Sequence, residues 1–174
     1  MPLSELGKSR WSLRPWRTSD FGRIAELANN PKIACFLTDM FPHPYSIEDA
    51  KRYFQTFSEA CIIRAICIDD VFVGSVGLHA KQDVHRHEME LGYWLGEPYW
   101  GNGIVSWAIP EILPLGFARP DVVRIYAEVM AHNPASARVL EKCGFKFEGR
   151  LELGFFKKGE YVDSLRYALV RPMP

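Results

Sequence analysis

The sequence predicts a mixed α/β domain, and three observations lead there. Hydrophobic residues are 48% and charged residues 24% of the chain, an ordinary globular composition that excludes disordered, low-complexity and collagen-like chains. The first third repeats its apolar residues at helical spacing, and from Ile62 the period becomes that of strands. Beyond Leu95, helical and extended segments alternate. At 174 residues one core can bury roughly 70% of the unfolded chain's surface, so size demands no disulfide or metal staple. No repeat or linker interrupts the chain, and residues 1–174 read as a single domain.

Trp11–Pro15 alternates large and polar residues and predicts a short strand. Thr18-Ser-Asp offers an N-cap for a helix over Phe21–Asn29, whose Ile24, Leu27 and Ala28 share a face, and Asn30-Pro31 ends it. Leu37–Ser46, rich in proline and aromatics, reads as an irregular loop. Ser46 and Asp49 make an S-x-x-D box that opens a second helix over Ile47–Glu59, with Ala50, Tyr53, Phe54 and Phe57 on its apolar side. Ile62–Ile68 and Val71–His79 flank Asp69-Asp70, a two-residue turn that makes the pair an antiparallel hairpin. A polar connection leads to a strand over Glu88–Leu95. A helix begins at Ile104, and Pro110 and Pro114 should kink it near Ile109–Glu111 or leave its second half irregular. Val122–Met130 is a strand, and a short helix runs from Asn133-Pro134 to Cys143, with Gly144 at its C′ position. Phe145–Leu153 and Tyr161–Val170 close the chain as strands, with Lys158-Gly159 near the turn.

The charge balance, 21 Lys+Arg against 21 Asp+Glu, removes the usual argument for nucleic acid or an anionic membrane as the main partner. No stretch approaches the ~20 apolar residues of a membrane span, and MPLSELGKSR lacks a signal-peptide core. Cys35, Cys61, Cys67 and Cys143 lack C-x-x-C spacing and read as buried free thiols in a reducing cytoplasm. The five histidines show no metal spacing beyond His85-x-His87, for which a surface role outweighs zinc, so no metal is expected.

The chemistry concentrates between Leu91 and Trp107, LGYWLGEPYWGNGIVSW, where a strand, a glycine turn and a helix N-terminus follow one another. First-turn N–H groups have no intrahelical partner and lie at the positive end of the macrodipole, so the unit suits a phosphate. Gly101 and Gly103 would let backbone approach it without a Cβ in the way. A plain turn and helix cap explains the same residues, since this is neither G-x-G-x-x-G nor a Walker loop. Likewise Asn133 is a good cap with or without a ligand. On the strand, alternation puts Glu88, Glu90 and Gly92 on one face and Met89, Leu91 and Tyr93 on the other. Two carboxylates on one face are either solvated or a catalytic pair.

Together the two blocks, Trp100-Gly101-Asn102-Gly103 and Asn133-Pro-Ala-Ser136 with Glu141-Lys142-Cys-Gly144-Phe145-Lys-Phe-Glu148-Gly149, resemble the GNAT superfamily of acetyl-CoA-dependent N-acyltransferases. The chain looks most like its ribosomal-protein N-terminal acetyltransferase branch, and SLRPWRTSD and FPHPYSIEDA extend the likeness to about residues 10–170. The resemblance implies a twisted, mostly antiparallel, seven-stranded mixed sheet with splayed central strands and helices on both faces. It implies acetyl-CoA in the gap and no metal. Trp100, Gly101, Asn102, Gly103, Ile104 and Val105 would hold the pyrophosphate, Trp94 and Leu95 the pantetheine amides by β-augmentation, and Asn133 the pantetheine arm. Ser136 would sit near the thiol.

Such a site performs aminolysis of a thioester. The ammonium must lose a proton, for which Glu90 is the first candidate, with Glu88 and Asp163 as others. A main-chain N–H near Tyr93–Leu95 would meet the oxyanion, and Ser136 would protonate the leaving thiolate. Phe41, Pro42 and Tyr45 either line the acceptor pocket, with Glu88, or pack their loop onto the core. Two departures stand out: Asn102 replaces a frequent basic residue, and Pro98 stands where many members carry Gln or Arg. Both leave the pyrophosphate to backbone N–H groups and the helix dipole. The acceptor is a primary amine: a protein N-terminus, or alternatively a polyamine, antibiotic or amino acid. The remaining alternative is a non-catalytic acyl-CoA-binding module. A second copy of the chain is a further candidate partner, through strand or helix contacts.

Overall fold

The computed structural model describes residues 10–57 and 60–171, so the N-terminal stretch read for an export signal lies outside the described residues. β1 (Trp11–Arg14) pairs antiparallel with β2 (Cys61–Ile68), and β2 forms a hairpin with β3 (Val71–Ala80). Asp69 and Asp70 take φ of 49° and 64°, as a two-residue hairpin turn requires. Arginines pin β1 and the segment after it to that turn: Arg10 pairs with Asp69, and Arg14 and Arg17 with Asp70. β4 (Glu88–Leu95) lies antiparallel to β3 and parallel to β5 (Arg124–Met130). β7 (Glu160–Val170) joins β5, and β6 (Lys146–Lys157) forms the far edge. The order β1-β2-β3-β4-β5-β7-β6, with one parallel pair, is the expected seven-stranded mixed sheet.

Helices cover both faces. On one side α1 (Phe21–Ala28) and α3 (Ile47–Gln55) pack with Trp16 and Phe72. On the other, α4 (Ile104–Phe117) and α5 (Pro134–Lys142) bury Ile104, Ile109, Ile112 and Leu140 against Val76, Leu78, Met89 and Ile125. α4 comes close to the sheet at Gly116, where a Cβ would lie 2.6 Å from Leu78 Cδ1.

Several local expectations are corrected. Asn30-Pro31 starts a helix as well as ending one: in α2 (Pro31–Ala34) Asn30 accepts from the Lys32 N–H at 2.9 Å and Pro31 fills the first turn. Thr18–Asp20 is a 3₁₀ turn, and Asp20 does not cap α1. Its carboxylate instead accepts from the Arg17 N–H at 2.7 Å and from the Arg14 guanidinium at 2.8 Å. The Ser46–Asp49 box forms, but α3 ends at Gln55, and the expected run to Glu59 reaches residues 58–59, outside the described residues. β6 continues past Leu153 to Lys157 because two register shifts absorb the irregularity that would have ended it.

α4 runs unbroken past both prolines, so its second half is regular helix and not irregular. Pro110 cannot donate to the carbonyl of Ser106, and the Cys143 thiol on the adjoining end of α5 takes that carbonyl at 3.7 Å. A buried apolar side along α4 supplies the rest of the compensation. That contact also leaves Cys143 half-buried, as are Cys35 and Cys61, so only Cys67 is the buried thiol expected.

Candidate active site

β4 and β5 pair over only three residues, Glu88–Arg124, Met89–Ile125 and Glu90–Tyr126. Past that point Leu91–Leu95 and Ala127–Met130 part and form two walls of a cleft of about 670 Å³. The β4 backbone has a definite polarity there. Gly96 N–H bonds to Val73 and Lys81 N–H to Glu88 O, so even-numbered residues bond to β3. Alternation turns the N–H groups of Tyr93 and Leu95, beyond the last pair Glu90–Tyr126, toward the gap, where no strand meets them. The Leu95 carbonyl is occupied by the Trp100 indole N–H at 2.7 Å, which folds the glycine turn back onto the strand end.

Gly101 and Gly103 have φ of 76° and 77°, and a Cβ on either would meet nothing within 4 Å, so backbone conformation, not crowding, selects glycine. Gly103 caps α4 with no side chain on the helix N-terminus, and the first intrahelical bond is Trp107 N–H to Gly103 O. The first-turn N–H groups therefore face the cleft wall formed by Gly103, Ile104, Val105 and Ser106. Asn102 behaves otherwise: its amide donates to the Tyr99 and Trp100 carbonyls at 3.1 and 2.9 Å and braces the turn, outside the cleft lining.

α5 brings Asn133 and Ser136 to the same cleft. Asn133 Oδ1 accepts from the Ser136 N–H at 3.2 Å, the predicted cap. Ser136 Oγ lies 2.6 Å from Tyr93 Oη. Burial pushes the Tyr93 phenol up to about 12, against a weaker opposing pull from Ser136. Arg138 and Lys142 also line the cleft, and neither makes an ion pair with a described residue. Sequence reasoning passed over both, although Ala135, Arg138, Val139 and Lys142 follow the i, i+3, i+4, i+7 spacing of one helix face.

At the other end the polar groups are paired. Glu90 accepts from Lys81 Nζ at 2.9 Å and from Tyr126 Oη at 3.3 Å. The hydrogen bond to Glu90 holds Lys81 well above the ordinary lysine range, so it stays an ammonium. Tyr126 also carries the Arg166 guanidinium 5.0 Å from its ring centre, and Arg166 pairs with Glu128. Asp39 pairs with Lys157 at 2.8 Å. His79 lies opposite Glu90 on β3, its ring over the space left by Gly77 and Gly92, with Nε2 3.7 Å from where a Gly92 Cβ would be. Burial moves its pKa down, Lys81 adds to that and Glu90 opposes it.

Glu90, Trp94, Leu95, Trp100, Gly101, Gly103, Ile104, Val105, Asn133 and Ser136 are thus brought to one cleft. Glu88 is held elsewhere, between His85 and Arg124, which also grips Glu148. Tyr45 is buried under α1 and α3, and Phe41 stacks on it and edge-on against Trp94 at 5.6 Å, so both support the wall from behind. Asp163 binds Arg150 and the Leu153 N–H. The cleft is also lined by Phe36, Leu37, Met130, Phe155 and Phe156. Among the described residues no group of His, Cys, Asp and Glu could hold a metal.

A splayed sheet with a glycine-loop helix N-terminus in its gap defines a cleft built for an extended ligand with an anionic end. A family model described as "Acetyltransferase (GNAT) domain" matches residues 10–146. The uncharacterized N-acetyltransferase YoaA of Bacillus subtilis is 30% identical over 152 residues, covering 80% of this chain and 85% of that protein. Among solved structures, RimL, a ribosomal L7/L12 alpha-N-protein acetyltransferase in complex with coenzyme A, superposes with a TM-score of 0.83 at 22% identity over 94% of this chain and 95% of that one. Spermidine N-acetyltransferase from Vibrio cholerae, in complex with CoA and spermine, gives 0.78 at 25% identity over 94% and 96%. The chain belongs to the GNAT acetyltransferase family and is an N-acetyltransferase.

Proposed function

We propose that this protein transfers the acetyl group of acetyl-CoA to the α-amine of a peptide N-terminus by direct attack in a ternary complex. The observation that carries this reading is the conjunction, in one cleft, of an unpaired β4 edge with an uncapped helix N-terminus. The edge offers N–H groups to an amide-bearing arm, and the helix end with Arg138 and Lys142 offers positive charge to a pyrophosphate. These two side chains offset what the loop lacks at Pro98 and Asn102. Acetyl-CoA supplies the activated acyl group. Asn133 orients the arm, the Tyr93 or Leu95 N–H faces the developing oxyanion, and Ser136 faces the departing sulfur. Glu90, at the acceptor end, takes the ammonium's proton across a water. A cytoplasmic location belongs to the proposal, and no helix among the described residues is long and apolar enough to cross a membrane.

The choice of acceptor rests on charge pairing. A polyamine carries several cationic groups and favours uncompensated carboxylates, but Glu90, Glu128 and Asp39 each hold a basic partner. The aromatic residues around them suit a single amine followed by apolar peptide. The similarity to a spermidine acetyltransferase supports the polyamine as a second reading. A parallel assay of thiol release with short peptides of different first residues and with spermidine decides between them. Turnover on peptides is expected, and turnover confined to spermidine would reverse the assignment.

A further inference from the structure

A serine hydroxyl alone is a poor acid for a thiolate. The conjugate acid of the leaving sulfur has a pKa of about 8.5 and an ordinary phenol one of about 10, and an aliphatic alcohol is a far weaker acid than either, weaker also than a phenol raised by burial as Tyr93 is. Passing a proton from Ser136 without replacement would leave an alkoxide in a half-buried cleft, which is costlier than leaving the thiolate itself. The structure puts a better acid directly behind it. Tyr93 and Ser136 both line the cleft, from β4 and α5 respectively, and their oxygens are 2.6 Å apart. The Ser136 carbonyl, 3.3 Å from the same hydroxyl, is the more distant acceptor. With the phenol donating to Oγ, the serine O–H is left to point into the cleft. Tyr93 sits in the unpaired stretch of β4, so its side chain reaches across the mouth of the splay to α5.

We infer that Tyr93 is the proton source behind Ser136, the two hydroxyls forming a relay that protonates the departing thiolate. This rests on the acetyl-CoA reading proposed above. As the carbon–sulfur bond breaks, its electron pair goes to sulfur, which takes the Ser136 Oγ proton. Ser136 Oγ takes the Tyr93 Oη proton in the same event, and the phenolate recovers a proton from the one the amine has surrendered. Nothing is oxidised or reduced and no further reactant enters. Tyr93 acts through Ser136 and is a positioning residue. Its burial keeps the phenol protonated in the resting protein, so the relay is loaded at neutral pH.

Three variants test it: Tyr93→Phe, Ser136→Ala and the two combined, each retaining the shape of its site. Tyr93→Phe is expected to lower kcat by about 100-fold with the KM for acetyl-CoA within about twofold. The combined variant should be no slower than Ser136→Ala alone, because the two groups act in series. A binding measurement adds a readout independent of turnover. Calorimetry with free CoA and with acetyl-CoA, on both sides of the thiol pKa near 8.5, should show CoA gaining affinity at high pH in the wild type. Tyr93→Phe should lose about tenfold of that gain with acetyl-CoA affinity unchanged. Wild-type turnover in Tyr93→Phe, an equal loss for both nucleotides at every pH, or a full second loss in the combined variant would overturn the relay while leaving the acyltransferase reading intact. A wild-type protein that binds neither nucleotide would overturn both.

Discussion

Asn102 sits at the centre of the glycine turn but spends its amide on the turn's own carbonyls, while Arg138 and Lys142 approach the cleft from a helix over thirty residues further along the chain. Replacing both with alanine should raise the KM for acetyl-CoA roughly 10- to 100-fold, since a hydrogen bond to a charged group contributes about 1.5–3 kcal/mol and 1.4 kcal/mol is tenfold. The loss should shrink as salt rises, and kcat should change little; steady-state kinetics at two ionic strengths checks both points. Glu90→Gln should act in the opposite way, lowering kcat about 100-fold with acetyl-CoA binding unchanged on calorimetry. The turn glycines, the Asn133 cap and the Glu90 face could be read from spacing because each depends on residues a few positions apart. The pairing of Glu90 with Lys81 and Tyr126, and of Glu88 with Arg124, could not, because the sheet register that joins them is set by β3 and β5.

Among the elements, α4 shows why a local rule can fail. Two prolines in fourteen residues argue for a kink or an irregular second half, yet the helix is continuous, and the Cys143 thiol at the end of α5 donates to the carbonyl that Pro110 leaves unserved. Cys143→Ala should therefore cost about 1 kcal/mol, and less in a Pro110→Ala background where the missing N–H is restored; denaturant titration of the four-member cycle measures the coupling. At the opposite end, Gly103→Ala forces a left-handed φ on a residue with a Cβ, at about 1–2 kcal/mol, and should weaken acetyl-CoA binding with it. The hairpin of β2 and β3 was legible because Asp69-Asp70 tolerates the positive φ its turn needs. The tip of β6 was not: Phe155 and Phe156 follow a bulge, and nothing in period-2 alternation says that an edge strand will bend to close a cleft.

Across the whole molecule, a buried carboxyl and a half-buried imidazole tie stability to pH. Burial raises the Asp20 pKa, but the Arg14 bidentate bond and the Arg17 N–H outweigh it and hold the carboxyl below its usual range. Its contribution is complete above the unfolded value near 3.9 and is lost as pH falls through the folded one. Asp20→Asn should cost about 2 kcal/mol at neutral pH, because the nearly buried Arg14 guanidinium loses its bidentate partner and keeps only Asp70 as an ion-pair partner, and should flatten the acid limb. His79 works in the range above. Burial lowers its folded pKa, so below about 6.5 the unfolded chain binds a proton the folded one refuses, and stability falls with pH until the folded value is passed. Melting temperatures of His79→Gln between neutral and mildly acid pH should show a shallower decline than those of the wild type. The seven strands followed from apolar periodicity, which reports the core, whereas helices on both faces were what the family resemblance implied. The cleft is where that periodicity stops, because β4 and β5 part and a ligand is left to complete the pairing. The most direct test of that claim is calorimetric titration with acetyl-CoA, with thiol release on a peptide amine followed in the same sample. Micromolar binding with release is the predicted result; no binding to the unpaired β4 edge and glycine loop would contradict the account.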